Sequence, residues 1–98
     1  MAKQHYISIK NLCSHYDIEI SFVESLYRMG LVEIHLVQQD KCIHQDQLGE
    51  LEKMIRLYTE LNINLEGIDV ILNLLEKERH LRAELNALRN RLRLYENN

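Results

Sequence analysis

The chain has 98 residues, one domain's worth, because a second independent core would leave each half near the lower size limit for folding alone. A hydrophobic fraction of 46% with 28% charged residues argues against a disordered or membrane-embedded chain, and the lack of Pro and Trp, with only three Gly, disfavours turn-dense sandwiches and barrels. The formal charge of −3 is the opposite of the basic footprint of most nucleic-acid binders, so a protein partner is favoured.

The expected elements are mostly helical. His5 to Ser8 is short and partly apolar and receives no element of its own; Ser8 is suited to cap a first helix from Ile9 to His15, with Ile9 and Leu12 inward. Asp17 to Glu19 reads as a turn, and Ser21 to Met29 as a second helix burying Phe22, Val23, Leu26 and Met29. Gly30 can take the left-handed conformation that ends a helix, with Leu31 folding back onto the last turn. Two short helices about a tight turn form a helix-turn-helix.

From Val32 to Val37 the apolar residues alternate as Val32, Ile34 and Leu36; after polar Gln38 to Lys41 come Cys42, Ile43 and His44, so a small hairpin is expected, a wing by its position. A third helix follows over Gln45 to Leu61, with Leu48, Leu51, Ile55 and Tyr58 at helical spacing and Asp46 and Glu50 near its positive end. Asn62 to Asn64 interrupts it, and Asn64 is suited to cap a final helix from Leu65 to Tyr95. This gives a winged-helix-like domain over 1–64 and a long helix over 65–98 that exceeds the width of so small a domain. With Ile71, Glu78, Leu85 and Leu92 at a, the d positions are Leu74, Leu81, Leu88 and Tyr95, a heptad broken only by Glu78. The stripe Ile71, Leu74, Leu81, Leu85, Leu88 and Leu92 predicts a coiled-coil homodimer.

Little in the chain has the shape of an active or metal site. Cys13-Ser14-His15 and Cys42-Ile43-His44 repeat a Cys-x-His spacing that can supply soft ligands to zinc, but on a helix residues two apart diverge, so Cys13 reads as buried and His15 as surface. Neither metal nor cofactor is expected. Asp46 with Glu50 and Glu76 with His80 lie one helical turn apart on solvated faces, and no Gly-rich phosphate loop or nucleophile with its base is present, so an enzyme is not expected. Ile68 to Leu75 is broken by Asp69 and Asn73 and is far short of the ~20 residues that span a bilayer. With two cysteines and a start, MAKQHYISIK, that has no signal-like apolar stretch, a cytoplasmic protein is expected.

Tyr6-Ile7-Ser8-Ile9, Arg28-Met29-Gly30-Leu31-Val32 and Leu61-Asn62-Ile63-Asn64-Leu65-Glu66-Gly67-Ile68 resemble the opening, the end of the second helix and the last junction of MerR-like winged-helix regulators. Gly67-Ile68, Leu72, Leu74, Leu75, His80-Leu81-Arg82-Ala83-Glu84-Leu85 and Leu88-Arg89-Asn90-Arg91-Leu92 resemble more closely the bacterial chaperone-modulator (CbpM) branch of that superfamily. The DNA-binding members carry an Arg in the recognition helix, an Arg at the wing tip and an aromatic residue near the return strand, where this chain has Glu24, Lys41 and Ile43. A carboxylate facing phosphate repels it. Met1 to Glu50 holds four basic residues against seven acidic ones, so the reading head is acidic.

The chaperone-modulator resemblance implies a non-enzymatic protein that binds the J-domain of a DnaJ-like (CbpA-type) co-chaperone and restrains its cooperation with DnaK. Its expected contact residues are Glu19, Glu24, Glu33 and Asp40 as carboxylates, with Tyr27 as an aromatic anchor. A MerR-like DNA-binding transcriptional regulator is the alternative, disfavoured by the charge of the helix-turn-helix and wing.

Overall fold

A computed structural model describes residues 5–96. Tyr6–Ser8 forms β1, followed by helices α1 (Ile9–Tyr16) and α2 (Ile20–Arg28), strands β2 (His35–Val37) and β3 (Asp40–His44), a 3-10 turn over Gln45–Gln47, and helices α3 (Leu48–Thr59) and α4 (Leu65–Glu96). The protein is thus mainly helical with one small sheet. It resolves into two compact units, Met1–Leu65 and Glu66–Asn98.

In the first unit the sheet has the order β1-β3-β2, antiparallel throughout. The sequence reading expected a two-stranded hairpin; β1 is the added strand, pairing Tyr6, Ile7 and Ser8 with His44, Ile43 and Cys42. The pairing places Ile7 and Ile43 on one face and Tyr6, His44, His35 and Cys42 on the other. β2 starts later than the apolar alternation suggests, and the alternation does not mark one buried face: Val32 lies buried before the strand, whereas Leu36 within it is 73% exposed.

Helix ends follow backbone chemistry. Asp17, at φ 56°, ends α1 in the left-handed region, and the N–H of Ile18 reaches back to the carbonyl of Cys13 at 3.0 Å. Gly30, at φ 79°, ends the turn after α2 as expected, and Leu31 folds back, its N–H donating to the Leu26 carbonyl at 2.9 Å. Ser8 occupies the N-cap position of α1, but its side chain makes no capping bond, contrary to expectation. The expected start of the third helix is a 3-10 turn instead, so α3 begins at Leu48 and ends at Thr59.

The core of this unit joins Ile9, Leu12 and Cys13 of α1, Phe22, Val23 and Leu26 of α2, Val32, Cys42 and Ile43 around the hairpin, and Leu51, Met54 and Ile55 of α3. Met29 is half-buried just past α2, and Leu48 is half-buried too. Tyr58, expected inside, is 42% exposed yet stacks its ring on Phe22 at 4.3 Å. Burial, a hydrogen bond to Glu52 and the charge of Glu52 hold the Tyr16 phenol above its ordinary pKa, linking the end of α1 to α3.

The hairpin turn holds Gln38 and Gln39 at φ 51° and 66°. Two consecutive left-handed residues match the twist of the strands but suit Asn-Gly far better than Gln-Gln, each L residue there costing roughly 1–2 kcal/mol. Gln38→Asn with Gln39→Gly is therefore expected to stabilise the protein by about 1–2 kcal/mol, read as a higher urea midpoint at unchanged slope. An unchanged or lower midpoint would refute the account of the turn.

Beyond Leu65, α4 belongs to the second unit. Its 32 residues span about 48 Å at 1.5 Å per residue. Glu76 pairs with Arg79 at 3.4 Å and with His80 at 3.2 Å, and Arg82 donates to Glu78. Leu74, Leu81, Leu85, Leu88 and Leu92 stay exposed, and Ile71 is half-exposed.

Candidate functional site

A groove of about 390 Å³ runs between α2 and the hairpin, lined by Glu24, Tyr27, Arg28, Ile34, Leu36 and Lys41. Helical spacing puts Glu24, Tyr27 and Arg28 on the side of α2 opposite its buried Phe22, Val23 and Leu26. Ile34 and Leu36 enter from the segment leading into and along β2. Tyr27 is 50% exposed, so with Leu36 it offers an apolar patch that a folded monomer gains little by keeping wet.

The polar wall of this groove is an ion pair. Lys41 Nζ donates to Glu24 Oε2 at 3.2 Å. The two side chains satisfy each other across the groove. Arg28 Nη2 donates to Ser25 Oγ at 3.0 Å, so the groove holds one carboxylate against two cations, not the acidic lining expected from sequence.

Of the five expected contact residues, only Glu24 and Tyr27 line this groove. Asp40 is exposed at the start of β3, next to Lys41. Glu19 stands at the N-cap of α2, where its carboxylate accepts from Ser21 Oγ at 3.2 Å, in a separate depression with Phe22, Ser25 and Tyr58. Glu33 lies in a third, beside His35 and Gln47, with its Oε2 3.6 Å from His35 Nε2. The carboxylates are thus spread over three places instead of forming one patch.

Leu36 and Lys41 were not among the expected contact residues. An apolar residue on a two-residue alternation signals burial, so only the three-dimensional position of the strand reveals Leu36 as a surface group. The Glu24–Lys41 pair joins residues 17 positions apart, beyond any local pattern.

The Cys-x-His pairs do not converge. Cys13 is buried in α1 while His15 is exposed and meets Tyr16 edge-on at 4.9 Å; Cys42 is buried on β3, its thiol donating to the Asp40 carbonyl at 3.6 Å, and His44 accepts from the Asp46 N–H at 3.1 Å. Among the described residues no three His, Cys, Asp or Glu side chains are grouped to hold a metal ion. Burial pushes the Cys13 thiol above its ordinary pKa, away from the reactive thiolate. Native protein is therefore expected to react negligibly with a thiol reagent such as DTNB, and both cysteines to react after denaturation. Rapid labelling of the native chain would contradict the burial of both thiols.

Among the described residues no helix is long and apolar enough to cross a membrane. Residues 7–90 match the family described as MerR HTH family regulatory protein, and the chain belongs to that family. Within it the chain is of the CbpM type. It is 28% identical over 87 residues to the chaperone modulatory protein CbpM of Pseudomonas entomophila, covering 88% of this chain and 86% of that protein. It is 29% identical to the protein of the same name in Pseudomonas putida W619, over 88% and 86% of the two chains, and 29% identical to that of Escherichia coli E24377A, over 87% and 85%. No solved structure matches the chain. The names of the family and these relatives are those of regulatory and modulatory proteins, not of enzymes.

Proposed function

We propose that this protein is a cytoplasmic, non-enzymatic homodimer that binds the J-domain of a DnaJ-like, CbpA-type co-chaperone and restrains its cooperation with DnaK. The observation that carries this reading is the Glu24–Lys41 ion pair at 3.2 Å, because it occupies with an internal contact the surface that a DNA-reading relative would present to phosphate. The likeness to proteins named for chaperone modulation supports the choice of partner. In this proposal Tyr27 and Leu36 anchor the contact, Glu24 and Asp40 border it, and Glu19 and Glu33 act at longer range by their charge. The second copy pairs along α4, whose exposed leucines follow the heptad repeat.

Titrating the purified protein with the J-domain of its own organism by calorimetry tests the function. Saturable binding, together with slower J-domain-stimulated ATP hydrolysis by DnaK, is expected; no heat of binding would remove the proposal. Family membership favours a second reading, a DNA-binding regulator. Selection from random duplexes at physiological salt is expected to return no consensus, because Lys41 is already paired with Glu24 and releases few counterions from a duplex. A palindromic site of nanomolar affinity would establish the second reading instead.

A further inference from the structure

His44 closes β3, and its Nδ1 accepts a hydrogen bond from the backbone N–H of Asp46 at 3.1 Å, capping the 3-10 turn Gln45–Gln47. A ring nitrogen that accepts carries no proton, so this cap exists only in the neutral imidazole. The same turn presents Gln47, whose side-chain amide fastens both backbone groups of Glu33. The Glu33 N–H donates to Gln47 Oε1 at 2.8 Å, and Gln47 Nε2 donates to the Glu33 carbonyl at 3.3 Å. One imidazole therefore stands at the root of a fastening on the segment between α2 and β2, next to Ile34 of the groove.

The surroundings supply an alternative partner for a protonated ring. Asp46 Oδ2 lies 3.4 Å from the same Nδ1. The Tyr6 ring meets His44 edge-on at 5.0 Å and His35 at 5.4 Å, His5 stacks on His44 at 6.1 Å, and His35 Nε2 faces Glu33 Oε2 at 3.6 Å. Cys42 shares this face of β3 and donates to the Asp40 carbonyl. α1, also packed on β3, buries Ile9, Leu12 and Cys13, of which the Cys13 thiol is the titratable group.

We propose that His44 is an acid-operated latch. On gaining a proton at Nδ1, the ring stops accepting the Asp46 amide and donates to the Asp46 carboxylate, which uncaps the 3-10 turn and slackens the grip of Gln47 on the Glu33 backbone. Both partners belong to one residue, so the exchange needs a small rotation and no unfolding. Imidazole is the side chain that gains a proton on mild acidification, so the exchange of partners is an acid response.

Amide hydrogen exchange by NMR, corrected for the intrinsic pH dependence of exchange, tests this in the full chain between about pH 7.5 and pH 5.5. Protection of the Asp46 and Glu33 amides is expected to fall about fivefold in acid, the size of one lost cap. The loss should track the 15N signals of the His44 ring, with the Val23 amide unchanged. His44→Asn, whose carbonyl caps at every pH, is expected to keep both amides protected throughout. Unchanged protection in the wild type, or the same acid loss in His44→Asn, would overturn the latch.

Discussion

Replacing Leu81 and Leu88 together by Glu is expected to turn the protein from a dimer into a monomer at tens of micromolar, with its helical circular dichroism retained. In the single chain these side chains are 65% and 59% exposed, and both occupy d positions of the repeat. Burying a Leu fully is worth about 1.5–3 kcal/mol, so four of them across a pair of chains supply on the order of 6–12 kcal/mol. A micromolar dimer needs about 8 kcal/mol, so their loss is decisive. Glu is a good helix former, and α4 already keeps charges on its surface through Glu76, Arg79 and His80, so the helix itself should survive. Glu78, the a position that breaks the repeat, is engaged by Arg82 one turn away, which lets it sit at the seam's edge without leaving a bare carboxylate. Sedimentation equilibrium decides the matter. A wild type that sediments as a monomer, or a double variant that remains dimeric, would refute pairing along α4.

How much of this was legible in the sequence depended on how local each cause was. The extent of α4, the stop at Gly30 and the fold-back of Leu31 follow from patterns within a few residues of where they act, and all appear in the structure. β1 was not legible, because three residues carry no periodicity and its pairing partner, from Cys42 to His44, lies in a distant part of the chain. The hairpin turn also lacked a signal, since Gln38-Gln39 holds a conformation that normally announces itself by Asn or Gly. The 3-10 turn escaped because Gln45 to Gln47 has helix-compatible residues, and its cap is an imidazole from the preceding strand rather than Ser, Thr, Asp or Asn. For the candidate surface, Glu24 was named for its charge and Tyr27 as its neighbour on the same helix, and the two line one groove. The alternation that marked the hairpin carried no sign that Leu36 is exposed, and the charge count of the N-terminal half could not foresee that Glu24 is offset by Lys41 within the same groove.

That correction changes what mutation should do to the partner contact, and it is the apolar anchors that now carry the larger expected effect. Tyr27→Ala and Leu36→Ala should each weaken J-domain binding by roughly thirtyfold, the loss of about 2 kcal/mol typical of a well-buried interface anchor. Both side chains are largely exposed in the free chain, so their truncation removes little from the core, and thermal unfolding should stay nearly unchanged. Glu24→Lys acts differently. It breaks the pair with Lys41 and gathers three cations beside Tyr27, the third being Arg28, so the basic J-domain helix that the chaperone-modulator resemblance implies would meet repulsion in place of a neutral pair. Combined with Glu33→Lys, it should lower the association rate most at low salt, because the longer-range attraction is screened over about 10 Å at 0.1 M. Titration of the wild type and these variants at two ionic strengths separates the contributions: anchor variants should lose affinity equally at both, and charge variants chiefly at the lower. Full affinity in both folded anchor variants would move the contact away from the groove, leaving α4 as the remaining surface for the partner.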